Sequence, residues 1–164
     1  MLDHVARTIL IGVGATFVLD LWSLFQKQVF SAPMPNYGLV GRWIGGFPHG
    51  RFVSSNIAIA APIKGETVIG WSAHYAIGVM FAAIVIAIWG VGWARHPTFL
   101  PAMIVGVLGV AAPYFVMQPG MGLGVAASKA PNPTSARLRS LMAHTVFGVG
   151  LYLAALASAT LLAN

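Results

Sequence analysis

The chain has 164 residues, of which 58% are hydrophobic and only 7% charged, with a formal net charge of +6 and a mean hydropathy of +0.82. A soluble domain carries about 25% charged residues to face water, and disordered segments are polar and poor in aromatics, so both classes are excluded. An integral membrane protein remains, and the absence of cysteine removes disulfides, thiolate metal sites, covalent c-type haem attachment and palmitoylation.

A membrane-spanning helix needs about 20 mostly apolar residues. Four segments qualify: 9–25, 68–93, 99–118 and 141–163. A transmembrane β-barrel would alternate apolar and polar residues, whereas 80–89 (MFAAIVIAIW) is apolar on every side. The expected fold is therefore an all-α four-transmembrane-helix bundle, a single membrane domain over residues 1–164. The first span has no small-x-small cleavage site after it, and Asp20 and Trp22 interrupt it, so it reads as a span and not a signal peptide.

Between spans one and two, 31–65 is dense in glycine and proline. Its centre, 38–52 (GLVGRWIGGFPHGRF), mixes aromatics and aliphatics with two arginines, a composition suited to an interfacial hairpin or short helix. Residues 57–63 are apolar but too short to span, and read as re-entrant or interfacial. The short connection at 92–97 makes spans two and three antiparallel neighbours. After span three, Gly120, Gly122 and Gly124 give a pliable backbone that can dip into the membrane beside protein or water. Ala73-His74 and Gly78-Val79 match Ala143-His144 and Gly148-Val149, with a weaker echo in Gly12-Val13 and Gly106-Val107. Two pseudo-repeated helix pairs and chance are equally good explanations of this correspondence.

Charge sets the orientation. Lys27, Arg42, Arg51, Lys64, Lys129, Arg137 and Arg139 flank one side, and only Arg7 and Arg95 the other. The positive-inside rule puts both long connections in the cytoplasm and both termini outside. The surplus suits anionic lipid headgroups. The cations are scattered without a base-stacking motif, so nucleic acid is not an expected partner.

Ionisable groups within spans are costly and point to function. Thr16, Asp20, Ser23 and Lys27 share one helical face. Trp71 and His74 share another, with Glu66 two turns earlier; Tyr114, Gln118 and Met121 align after Pro113, and Arg137, Ser140 and His144 on span four. At 1.5 Å per residue, Asp20 lies about 10 Å inside Lys27, His74 about 12 Å beyond Glu66 and His144 about 8 Å beyond Arg139. Similar depths predict a polar cup open to the cytoplasm over an apolar floor, which is not a channel.

Asp20, His74 and His144 are the candidate ligand-binding residues, with Tyr114, Gln118, Ser140 and Glu66 around them. The occupant is a small ligand, haem on the two histidines, or a transition metal held by His74, His144 and Asp20; Met117 and Met121 would suit Cu(I). The plainer reading is that these groups pin helices through hydrogen bonds. A rival function is an accessory subunit packing into a homo-oligomer or a larger membrane complex through Gly106, Gly109, Gly148 and Gly150. No nucleophile with an activating base is visible, which argues against a lipid-modifying enzyme.

Gly65-Glu66, Gly70-Trp71, His74-Tyr75 and Gly78, then Gln118-Pro119, Gly122 and Ala127-Ser128, then Arg137-x-Arg139-Ser140, His144, Phe147-Gly148 and Leu151-Tyr152 resemble a bacterial membrane family known as domain of unknown function 2938. The resemblance covers nearly the whole chain. It implies a four-span inner-membrane protein and supplies no activity.

Overall fold

The computed structural model describes residues 2–162, and every regular element among them is helical. In order these are α1 (Leu2–Phe30), α2 (Tyr37–Ile44), α3 (Glu66–Arg95), α4 (Phe99–Leu108), α5 (Gln118–Gly120) and α6 (Pro133–Leu161). Short 3-10 turns occupy Phe47–His49 and Val125–Ala127, and a π-helical turn Pro113–Met117. Four segments are long and apolar enough to cross a bilayer: Asp3–Phe30, Glu66–Trp89, Phe99–Gly120 and Pro133–Leu161. The chain is a multi-span membrane protein.

The spans keep the expected order but not the expected ends. The first extends beyond 9–25 at both ends, and at its start the polar groups pair with each other: Arg7 Nε donates to Asp3 Oδ1 at 2.8 Å within the first turns. The second stops short of Trp93, since Gly90 (φ 78, ψ 168) takes a left-handed conformation that breaks the helix after Trp89. The third is not one continuous α-helix. Pro113 has no N–H to give the Gly109 carbonyl, and α4 ends at Leu108 before the backbone widens into the π-turn. The fourth begins eight residues before Leu141, because Asn132 caps it through Oδ1 to Ser135 N (3.0 Å), with Pro133 at the first helical position. Ala163, the expected end of that span, lies outside the described residues.

The chain divides into two compact units. The first comprises Met1–Met34, Tyr75–Gly109 and Met142–Asn164, and its described part is a four-helix bundle. Ile11, Ala15, Val85, Ala102, Leu151 and Ala155 lie in its core. Glycine sets the helix spacing: a Cβ at Gly12 would run into the backbone of Gly78 and Val79, and one at Gly106 into that of Gly148. Outward, Phe17, Leu21, Ile88 and Leu153 are exposed, the pattern of helices whose solvent is lipid.

The second unit comprises Pro35–His74 and Val110–Leu141. Here the 38–52 segment forms the expected short helix, followed by a 3-10 turn closed by left-handed Gly50. Ser54 N donates to the Gly120 carbonyl (2.7 Å) and Ile57 N to that of Met121 (3.1 Å). Ile57 is buried and Ile59 81% exposed, so residues 57–63 have a covered and an uncovered side.

Candidate functional site

Five of the seven residues singled out from the sequence, Glu66, His74, Tyr114, Gln118 and Ser140, fall in the second unit; Asp20 and His144 fall in the first. The second unit is organised around Arg42. Gly41 lies against the Glu66 carbonyl and Gly70 against that of Tyr37, so α2 and the start of α3 touch backbone to backbone. That approach delivers the Arg42 guanidinium to Glu66. Nε donates to Oε2 and Nη2 to Oε1, both at 2.8 Å, while Nη1 donates to the carbonyls of Ile57 (3.2 Å) and Ala60 (2.8 Å). The Ile63 N–H completes the carboxylate shell at 3.0 Å. Hydrogen bonding to Glu66 raises the Arg42 pKa above its usual range, so this bidentate pair stays ionised. Beside it, Tyr37 stacks on His74 (centroids 4.1 Å) and tilts onto Trp71 (4.6 Å).

A second polar cluster joins the end of span three to the start of α6. The Tyr114 hydroxyl donates to the Arg137 carbonyl at 2.6 Å, and Gln118 Nε2 to Ser140 Oγ at 3.3 Å. Arg137 Nε in turn donates to the Ala126 carbonyl (2.8 Å), holding a loop in which Ala126 and Ala127 both have positive φ (47° and 55°). Such backbone costs about 1–2 kcal/mol per non-glycine residue. Gln118 is 5% exposed, and its Oε1 has no hydrogen-bond partner among the described residues.

In the first unit the polar stripe of α1 is largely satisfied by its own neighbours. Thr16 and Ser23 hydroxyls donate to the Gly12 and Leu19 carbonyls, and Asp20 Oδ2 accepts from the Tyr75 hydroxyl at 2.8 Å. Asp20, His74 and His144 are all half-buried, and none is free. At the opposite end of α1, buried Arg7 also donates to the carbonyls of Ser158 (3.2 Å) and Leu162 (2.6 Å), and Arg95 donates to Asp3 (3.3 Å). Among the described residues, no group of three His, Cys, Asp or Glu side chains is placed to hold a metal ion.

Arg42 and Tyr37 escape the sequence reading, which takes Arg42 only as a topology marker and does not single out Tyr37. The sequence does hold one signal for Arg42. With three acidic residues among nine lysines and arginines, each carboxylate has a choice of cations. Gly38 and Gly41 before Arg42, with Gly70 after Glu66, mark where two helices can close on each other.

The family model described as a protein of unknown function, DUF2938, matches residues 9–158. No curated protein and no solved structure matches the chain.

Proposed function

The chain belongs to the DUF2938 family of proteins of unknown function, and from that premise we propose that it binds a small polar ligand at the Gln118–Ser140 pair of its second unit. One observation carries this reading: the carboxamide of Gln118 is buried with its Oε1 unpartnered among the described residues. An unsatisfied buried acceptor costs about 1–3 kcal/mol, and native proteins keep few of them. A ligand presenting an N–H or O–H would satisfy it. The neighbouring backbone supports the same reading, since π-turns and left-handed non-glycine residues concentrate at functional sites. Tyr114, Glu66 and His74 are the further polar side chains of that unit assigned to the role.

The test is untargeted mass spectrometry of small molecules released from gently purified wild-type protein and from Gln118→Met. The wild type should release a compound in near-stoichiometric amount that the variant lacks. The variant should remain folded and melt no lower than ligand-stripped wild type, because an apolar side chain of similar length removes the orphaned acceptor along with the long 3.3 Å bond to Ser140. Equal release from both, or none from the wild type, overturns the reading. An absorption spectrum with elemental analysis separates haem or a transition metal from an organic ligand, and flux into liposomes separates transport from binding.

The family resemblance supports a location in the bacterial cytoplasmic membrane, and the charge distribution supports an orientation with both termini outside. A reporter inserted near Asn36 should read cytoplasmic and one fused after Asn164 extracytoplasmic; the reverse would invert the topology. The paired contacts Gly12 with Gly78-Val79 and Gly106 with Gly148 fall on the residues of the sequence repeat, and support two helix pairs related by an axis along the membrane normal.

A further inference from the structure

A recess of about 140 Å³ opens in the second unit between α2, its 3-10 turn and the following loop, walled by Arg42, Trp43, Arg51, Ser54, Ile57 and Ile63. Its two arginines are not equivalent. Arg42 spends its guanidinium on Glu66 and two carbonyls, so its charge is offset within the protein. Arg51 is exposed, and among the described residues its guanidinium has no partner. The Ser54 hydroxyl likewise has none, its backbone N–H being committed to Gly120. The recess therefore offers one cation and one hydroxyl that no other described residue occupies, a pair suited to an anion.

The surroundings say which anion. Of the walls, Trp43 continues outside the recess into a chain of ring contacts with Phe47 and Phe52 (4.9 and 5.3 Å), with Trp43 Nε1 donating to the Phe52 carbonyl. Directly after Arg51, Phe52 is 59% and Val53 75% exposed. Exposed aromatic and aliphatic groups beside an arginine fit the boundary between headgroups and acyl chains, where tryptophan also concentrates. A soluble anion would gain nothing from these apolar neighbours. At about 140 Å³ the recess has room for a headgroup phosphate, while the acyl chains run out along exposed Val53 at its rim.

We propose that this recess is a binding site for the phosphate of an anionic phospholipid, with Arg51 as the charged contact and Trp43 and Ser54 as its walls. The test uses the full chain, equilibrated with vesicles of equal parts phosphatidylethanolamine and phosphatidylglycerol and then extracted for native mass spectrometry. Phosphatidylglycerol should be retained in preference. Arg51→Gln should cut that preference by more than about fivefold, the factor that ~1 kcal/mol for any arginine at an anionic surface would give alone. Arg51→Lys should keep most of it. Arg139→Gln, which removes the same charge at an exposed position outside the recess, should cut it clearly less, because only diffuse surface attraction is lost there. Equal losses in Arg51→Gln and Arg139→Gln would reduce the effect to general surface charge and overturn the site. Displacement of the lipid by inorganic phosphate would assign the recess to a soluble anion and overturn the lipid. Thermal melts of each variant verify folding, and an exposed Arg51 makes misfolding an unexpected outcome that Arg51→Lys would expose.

Discussion

The pairing of Arg42 with Glu66 shows how one side chain can organise a loop that lacks regular structure over most of its length. Four N–H groups of the guanidinium serve two carboxylate oxygens and the carbonyls of Ile57 and Ala60. Lysine has a single ammonium and cannot copy that planar fork. Arg42→Lys and Glu66→Gln should therefore both lower the thermal midpoint of the purified protein. Lys64→Gln, at an exposed position nearby, should not. Equal midpoints for all three would show that α2 is held by its glycine contacts alone. Gln118 presents the opposite case, a buried group whose replacement by Met should leave the chain folded while removing the proposed ligand.

Helix spacing in the first unit depends on positions where no side chain fits. Gly106 abuts Gly148, while Gly92 has open space around the position of a Cβ. Gly106→Val should destabilise the bundle by about 1–3 kcal/mol, the usual cost of overpacking. Gly92→Ala should be neutral or slightly stabilising, because it restricts the unfolded chain without a clash. Thermal melts of the two variants side by side check this, and a tolerated Gly106→Val would mean that spans three and four pack less tightly than the backbone indicates. These contacts also mark how far the sequence could be read. Four apolar runs identify four spans because hydrocarbon imposes that pattern on any helix inside it. It imposes nothing on ends, so the early start of α6 at Asn132-Pro133 depended on cap chemistry and the early end of span two on a single positive φ at Gly90. Likewise, the periodicity that aligned Tyr114 with Gln118 assumed an α-helix, and the π-turn at Pro113–Met117 departs from that geometry. The partners of Asp20 and Glu66 were not legible, because periodicity places residues on a face of their own helix and does not say which side chain approaches from another.

Across the whole molecule, charge separates into two populations. Among the described residues all three acids are engaged: Asp3 with Arg7 and Arg95, Asp20 with Tyr75, and Glu66 with Arg42. Lys27, Arg51, Lys64, Lys129 and Arg139 are exposed, with no side-chain partner there. Short pairs are screened weakly and exposed charges strongly, since the Debye length falls from about 30 Å at 0.01 M salt to about 3 Å at 1 M. Across that range the preference for anionic vesicles should decline, while the thermal midpoint of the protein holds nearly constant. A midpoint that falls in parallel would place the surplus cations inside the fold's own electrostatics. The Arg7 contacts have a consequence in time. Its acceptor at Ser158 lies 151 residues downstream, and at about 5–20 residues per second a ribosome needs about 8–30 s to supply it. Through that interval, of the Arg7 partners seen in the finished fold, Asp3 alone is at hand from the start. The first helix thus enters the membrane carrying a local neutralising partner, and extends its guanidinium to the last helix, while keeping Asp3, only when the bundle closes.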